Sequence, residues 1–374
     1  MKKLFSYKKE DFRHKFCILG IKFSILDKNK MLKNLYERFG VTEYLAHSAS
    51  RWNIFYWANE DKFTEKEKIW YLSQQFYEKS GYYPNIQNPQ TYNEKMQWLK
   101  LNYHNPLQTI CTDKYEFKKY IKEVLGEGYT IPLLGVYDSA DEIDFDKLPD
   151  KFVLKTTNAG GGKYGIYIVK DKNSANIDEI KYRFNDWLQN WMSVYYYSLD
   201  YGYKNIKPRI IAEAYIEQID GQIYDYKFSC FHGEPKFFWI DKDRYSHHIK
   251  AFYDMNKKRL NFSRSGIDDD NEASPKDFPK KFDKMVELAR KLSEPFPFVR
   301  IDFYEVDNKV YIGEFTFYTN SGFGKFTPRE WDYKIGQLLD LSKVKVNNLV
   351  NKNNKTLDIA EFRGGGAKSL KKVA

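Results

Sequence analysis

Three observations predict an α+β chain in which a helical N-terminal region precedes two strand-rich subdomains. Segments 30–39, 64–80 and 92–101 mix apolar and charged residues at helical spacing. Short β-branched and apolar runs then fall into two groups, with a helical stretch between them at 282–293. Within the first group, a glycine-rich segment joins two strands as a hairpin.

In chain order, Thr91 and Asn93 are helix starters, Gly81 and Pro84 punctuate between helices, and Thr112 reads as the N-cap of a further helix running through Tyr120. Strands are expected at 130–137, 152–155 and 166–169, with 144–150 as a turn. Residues 175–200 read as helical. Further strands are expected at 209–216, 223–231, 236–240, 298–304 and 310–317, the last two joined by a turn at Asp307-Asn308. The expected layout is a helical N-terminal region with a basic arm over 1–105, the two subdomains over 106–342, and a basic, disordered tail over 343–374.

Composition narrows the class. With 42% apolar and 18% aromatic residues the 374-residue chain is a globular one. Cys17, Cys111 and Cys230 are isolated, which indicates neither a disulfide framework nor a zinc site and suits a reducing cytoplasm. The apolar stretch 16–26 is interrupted by Lys22 and is too short to span a bilayer. The net charge of +10 sits at the ends: residues 1–40 carry +7, residues 341–374 carry +6, and the rest carries −3. That distribution disfavours a nucleic-acid reader. It leaves two readings, contact with an anionic polymer or the inner face of a membrane, and plainly solvated tails.

Five constellations carry chemistry. Asp113-Lys114 opens a helix, where a lysine is unfavourable unless an anion binds. Lys155 leaves a strand beside the loop 156–165, where Asn158, Gly160, Gly161 and Gly162 let backbone N–H groups approach phosphate oxygens. This is no Walker A loop, because Tyr164 follows Lys163. Glu213, Tyr215 and Ile216 close one strand, and Asp225 and Lys227 begin the next, an acid for ribose hydroxyls and a cation for phosphate. Arg300 and Asp302 share one face of a strand over 298–304, and Glu314 lies on its partner, followed by Asn320. Two inward carboxylates with an arginine between apolar positions can bracket Mg²⁺ and hold a transferring phosphoryl group.

Taken in order, the stretches NPQTYNEKMQWLKL, TDKYEFKKY, IPLLGVYDSADEIDFDKLPDKFVLKTTNAGGG, PRIIAEAYIE, DYKFSCFHGEP, FVRIDFYEV and YIGEFTFYTNSGF resemble the ATP-grasp superfamily. Within it, the chain resembles the TupA-like family of bacterial surface-polysaccharide proteins, over roughly residues 80–342. The resemblance implies an ATP-grasp fold, with two α+β subdomains sandwiching ATP, and an ADP-forming carboxylate–amine ligase. It implies that Lys114 and Lys155 contact the ATP phosphates, with Asn158, Gly160, Gly161 and Gly162 as a mobile cover. Glu213, Tyr215 and Ile216 would meet adenine, and Asp225 the ribose. Asp302 and Glu314 would hold Mg²⁺, while Arg300 and Lys227 would face the reacting groups. Where many ATP-grasp enzymes carry Asn two residues after the second metal carboxylate, this chain has Thr316, and Asn320 is the substitute. The implied partners are a small-molecule amine and the carboxylate of a sugar or polysaccharide. A glycosyltransferase using Asp241-Lys242-Asp243 and a non-catalytic anion-binding protein remain the alternatives. Tyr195, Tyr196, Tyr197, Tyr201 and Arg244 suit either sugar contact or packing.

Overall fold

The computed structural model describes the backbone of residues 5–10, 13–18 and 21–26, and residues 64–160, 164–189, 194–216, 224–242, 249–264 and 277–346. The chain divides into two units, Met1–Phe63 and Thr64–Ala374. The first contains β1 (Phe5–Glu10), β2 (Arg13–Ile18) and β3 (Ile21–Leu26), a three-stranded antiparallel sheet. The sequence reading named no strand over 5–26, while the helices it expected over 64–80 and 92–101 are present in the second unit. Phe16, Ile18, Ile21, Phe23 and Ile25 include β-branched and aromatic residues that favour a pleated surface. The helix expected over 30–39 and the tail beyond residue 346 lie outside the described residues.

The second unit opens with four helices: α1 (Glu65–Ser80), α2 (Tyr92–Asn102), α3 (Pro106–Thr112) and α4 (Glu116–Leu125). Thr64 and Thr91 each form a capping box, with Glu67 and Glu94 three residues on. Gly81 ends α1 at φ 81°. The sequence reading placed a helix start at Thr112, and this is corrected. Thr112 is the last residue of α3, and Asp113 holds the turn into α4 by accepting from the Tyr115 and Glu116 backbone N–H groups at 2.8 and 3.1 Å. An acidic residue one position later satisfies the orphan donors better than the shorter, neutral hydroxyl.

Two antiparallel sheets follow. The smaller has the order β4-β7-β5-β6, from β4 (Leu133–Tyr137), β5 (Phe152–Thr156), β6 (Ile166–Val169) and β7 (Ile210–Ala214). It packs Phe152, Leu154, Ile210 and Ala212 against Ile180 and Phe184 of α5 (Ile177–Gln189). The expected continuous helix over 175–200 is two elements, α5 and the short α6 (Val194–Ser198).

The larger sheet has the order β10-β9-β8-β12-β13, from β8 (Asp225–Phe231), β9 (Glu234–Lys242), β10 (Ile249–Asp254), β12 (Phe298–Val306) and β13 (Lys309–Thr316). Alternation separates its two faces. Tyr226, Phe228, Phe238 and Phe303 join the core with Phe282, Met285, Leu288 and Leu292 of α7 (Phe282–Ser293). The opposite face of the same strands carries the charged residues. A two-residue ladder, β11 (Ser263–Arg264) with β14 (Phe326–Thr327), and α8 (Glu330–Gly336) complete the unit.

Cys111 and Cys230 are buried free thiols. Among the described residues no helix is long and apolar enough to cross a membrane.

Candidate active site

The polar face of the larger sheet sets four side chains in one row across four strands. Glu314 of β13 pairs with Asp302 of β12, Asp302 with Lys227 of β8, and Lys227 with Trp239 of β9. Arg300, two residues before Asp302, shares that face and lies 5.5 Å over the Trp239 ring. Asp302 is the hub. Its Oδ1 accepts from Arg300 Nε at 2.6 Å, and its Oδ2 accepts from the Arg300 second arm at 2.7 Å and from Lys227 Nζ at 2.5 Å. Such a two-pronged fork is the strongest form of this contact. Lys227 also reaches Asp225 at 3.2 Å and Asp241 at 3.9 Å.

Burial disfavours the charged form of Asp302, but Arg300 and Lys227 outweigh it and hold the carboxyl below its ordinary range. Burial likewise opposes the Lys227 charge, and Asp225 and Asp302 lift it above the ordinary lysine value. Glu314 stands apart from this lock. Its side chain is 38% exposed and lies 3.6 Å from Arg300.

A second cluster sits on the smaller sheet. Glu213 of β7 takes Lys118 on one oxygen at 2.5 Å and Lys155 on the other at 2.6 Å. Lys118 comes from α4 and also donates to the Ile131 carbonyl at 2.7 Å. Burial would raise Glu213, yet Lys155 and Lys118 keep it below the usual carboxylate range. For Lys155, burial opposes the charge and Glu213 overcomes it, so its value rises.

Lys114 lies between the two clusters, in the turn from α3 to α4. Its backbone N–H donates to the Thr157 carbonyl at 3.2 Å, and its ammonium donates to the Ala159 carbonyl. Burial pushes it below the ordinary lysine value, with Glu314 opposing and Lys155 adding to the shift. The sheets thus bring Lys114, Lys155, Glu213 and Glu314 within one another's electrostatic reach.

The glycine loop leaves β5 at Thr157-Asn158 and is closed at its base by Thr156 N–H donating to the Gly165 carbonyl at 2.8 Å. Gly160 is needed for close approach: a Cβ there would fall 2.6 Å from Tyr203 Oη and 2.8 Å from Val194 Cγ2. Gly161, Gly162 and Lys163 lie outside the described residues, as do Asp243 and Arg244. Tyr215 and Ile216 follow β7 at the crossing between the sheets, with Lys151 5.7 Å over the Tyr215 ring.

Asn320 is held on an exceptional backbone. Asn320, Ser321 and Gly322 are consecutive left-handed residues, at φ 50°, 51° and 65°. For the two side-chain-bearing residues this conformation costs roughly 1–2 kcal/mol each. Two α2 side chains hold the turn: Gln97 donates to the Gly322 carbonyl at 2.9 Å and Lys100 to the Ser321 carbonyl at 2.7 Å. A Cβ at Gly322 would sit 2.5 Å from Gln97 Nε2 and 2.6 Å from Met96 Cβ. Gly322→Ala should therefore cost about 1–3 kcal/mol and lower the melting temperature by a few degrees. An unchanged melt would show that the turn yields without cost.

Arg300, Glu314, Thr316 and Asn320 line one cavity of about 200 Å³ together with Gly160 and Tyr203. The donors suit Mg²⁺ in kind, since Asp302, Glu314 and Asn320 offer hard oxygens. Asp302 has both its oxygens held by Arg300 and Lys227, so a cation there would take the place of N–H donors. Among the described residues no three His, Cys, Asp or Glu side chains are grouped to hold a metal by themselves. A metal here would need an amide or substrate oxygen to complete its ligands.

Sequence reasoning missed several participants. Lys118, which the sequence reading set beside Lys114 as a following helix lysine, was given no role there, and the fold brings it to Glu213. Arg209, which spans Asp113 at 3.3 Å and Glu116 at 2.9 Å, and Asp200 are joined to their partners only by the fold. Of the tyrosines singled out, Tyr195 is buried under Lys204 at 4.9 Å, and Tyr201 stacks on His104 with ring centroids 4.7 Å apart. The carbonyl of Tyr197 accepts from Tyr71 at 2.7 Å. The Tyr197 ring lies 4.9 Å under the Lys79 ammonium.

Among solved structures, the chain is similar to D-alanine–D-alanine ligase from Bacillus anthracis, at 20% identity, covering 60% of this chain and 64% of that one, with a TM-score of 0.37. It is also similar to the Helicobacter pylori D-alanine–D-alanine ligase, at 16% identity, covering 67% and 69%, with a TM-score of 0.37. A RimK domain ATP-grasp protein from Sphaerobacter thermophilus aligns at 8% identity over 62% and 67%, with a TM-score of 0.33. The chain thus spans just under two thirds of the Bacillus ligase it matches. No curated protein matches the sequence. The family model described as TupA-like ATP-grasp covers residues 94–340, which takes in both sheets and every side chain of the row and the lysine cluster described above. The chain belongs to the TupA-like ATP-grasp family.

Proposed function

We propose that this protein is an ADP-forming carboxylate–amine ligase that activates the carboxyl group of a uronic acid or acidic surface polymer and joins it to an amine. The observation that carries this reading is the row Glu314–Asp302–Lys227 with Arg300, whose Glu314 acts electrostatically on both Lys114 and Lys155. A free carboxylate acylates poorly because its leaving group would be an oxide. Attack of its oxygen on the γ-phosphorus of ATP gives an acyl phosphate, from which phosphate leaves readily. Such a transfer needs positioning and charge neutralisation above all.

In this reading Lys155 and Lys114 hold the phosphates, and Asn158, Gly160, Gly161 and Gly162 cover them and exclude water. Glu213, Tyr215 and Ile216 form the adenine side of the crossing, and Asp225 takes the ribose. Glu314, Asp302 and Asn320 hold Mg²⁺, which when bound neutralises charge on the β- and γ-phosphates. Arg300 and Lys227 exchange their hold on Asp302 for the transferring phosphoryl group and the substrate carboxylate. The basic ends contact an anionic polymer or membrane surface, and the protein works in the cytoplasm at that face.

The test is isotopic. Incubated with Mg-ATP, an ¹⁸O-carboxylate uronate and an amine, the protein should release ADP and phosphate carrying the label. Label in AMP, or intact nucleotide with turnover of a UDP-sugar, would overturn the reading in favour of adenylation or glycosyl transfer.

A further inference from the structure

The cavity at Arg300 is distinct from the lysine cluster. Arg300, Glu314 and Asn320 line it, and neither Lys114 nor Lys155 does. In the ligase reading those lysines hold the phosphates of ATP, so this space is left to the group that attacks them. Its volume of about 200 Å³ is below the ~300 Å³ at which pockets for drug-sized molecules begin, and it suits a single sugar-sized unit.

Tyr203 lines the same space and is held firmly there. It ends the short turn Tyr201–Tyr203, and its backbone N–H donates to the Asp200 carbonyl at 3.0 Å. Asp200 is tied down in turn by Lys100 at 3.0 Å and by Ser321 Oγ at 2.9 Å. Behind the turn, Thr109 Oγ1 donates to the Lys204 carbonyl at 3.3 Å, and Tyr201 stacks on His104. The hydroxyl end of the Tyr203 ring abuts the glycine loop, since a Cβ at Gly160 would fall 2.6 Å from its Oη. Among the described residues no group forms a hydrogen bond with that hydroxyl. A tyrosine hydroxyl in a packed setting ordinarily has a protein partner. Here a braced phenol keeps its donor free, at the border between the loop and the cavity.

We propose that Tyr203 binds the acyl substrate directly, its hydroxyl donating a hydrogen bond to one oxygen of the carboxyl group being activated while Arg300 takes the other. The inference rests on the ligase reading above and deepens it by naming a residue that recognises the carboxylate.

The position is the right one for this task. A carboxylate oxygen that attacks the γ-phosphorus must meet it where the cavity adjoins the glycine loop, and Oη stands at that junction. A donor to each oxygen fixes the rotation of the carboxylate and presents a lone pair to phosphorus. A phenol also suits the charges around it. Lys100 is committed to Asp200, so the side of the cavity at Tyr203 offers no spare cation among the described residues. A further buried charge would carry its own desolvation cost, whereas a neutral hydroxyl donating to an anion makes a strong bond without one. Burial, reinforced by Glu314 and Asp200, raises the phenol above its ordinary value, so it remains protonated and a donor throughout the neutral range.

The test uses the full chain with Mg-ATP, glucuronate or galacturonate, and hydroxylamine, which traps the acyl phosphate as hydroxamate. Tyr203→Phe keeps the ring beneath Gly160 and removes only the hydroxyl. It should raise the KM for the uronate by about 10–100-fold, the loss of one hydrogen bond to a charged group. The KM for Mg-ATP should stay within about twofold of wild type, because the phosphates are held elsewhere. A purely structural hydroxyl would not separate the two constants in this way. A uronate KM that does not move, or one that rises in step with the KM for Mg-ATP, overturns the assignment of Tyr203, while hydroxamate from the wild type in the same runs upholds the acyl phosphate. A wild type that forms no hydroxamate with either uronate overturns the uronate reading and this inference together.

Discussion

Replacing Glu213 with Gln should destabilise the protein by about 3–5 kcal/mol, read from chemical denaturation. The magnitude follows from what the substitution leaves behind. Lys118 and Lys155 converge on the two Glu213 oxygens at 2.5 and 2.6 Å, with side chains 8% and 22% exposed. An amide keeps the shape but removes the carboxylate that both lysines share. Exposed pairs of the same kind, such as Lys122–Glu127, are worth little by comparison. The acid dependence of stability should change with it. Glu213 is held below its unfolded value of about 4.3, so its contribution is complete above that pH and is lost as the pH falls through the lower folded value. The Gln variant should lack that part of the acid sensitivity. A destabilisation under about 1 kcal/mol would show that water or Asp225 takes over the neutralisation.

The sequence made the charged rows legible because strand periodicity is local. Arg300 and Asp302 are two apart on one strand, the turn at Asp307-Asn308 fixes β13 against them, and Glu314 then falls opposite Asp302. The same logic made the β5–β6 hairpin readable around its glycines. What stayed hidden depends on contacts between distant segments. Asp200 meets Lys100 across 100 residues of chain and Ser321 across 121, and no spacing rule reaches that far. Arg209 reaches back 96 residues to Asp113. The helix boundary at Thr112 failed for a local reason, since two adjacent residues can both hold a helix start and only the three-dimensional course shows which one does. The strands at 5–26 are six residues each, and lysines interrupt their apolar alternation.

Asp302→Asn and Glu314→Gln should each reduce ATP turnover by at least about 10²–10³-fold, yet differ sharply in stability. In the proposed mechanism both carboxylates hold Mg²⁺, so either amide removes charge that the transferring phosphoryl group depends on. Their structural burdens are unequal. Asp302 is 1% exposed and accepts three hydrogen bonds from Arg300 and Lys227. An Asn there offers an NH₂ to one of those cations and leaves Arg300 buried against a neutral group, a loss of about 3–5 kcal/mol. Lys227 would be partly compensated by Asp225 at 3.2 Å and Asp241 at 3.9 Å, which keeps the expected loss from being larger. Glu314 is 38% exposed and its nearest cation is 3.6 Å away, so Glu314→Gln should shift stability by no more than about 0.5–1 kcal/mol. Thermal melts and ADP release measured on the same preparations separate the two effects. Turnover within about tenfold of wild type in either variant would remove that residue from the metal site. A Glu314→Gln protein as unstable as Asp302→Asn would show that Glu314 belongs to the structural lock instead.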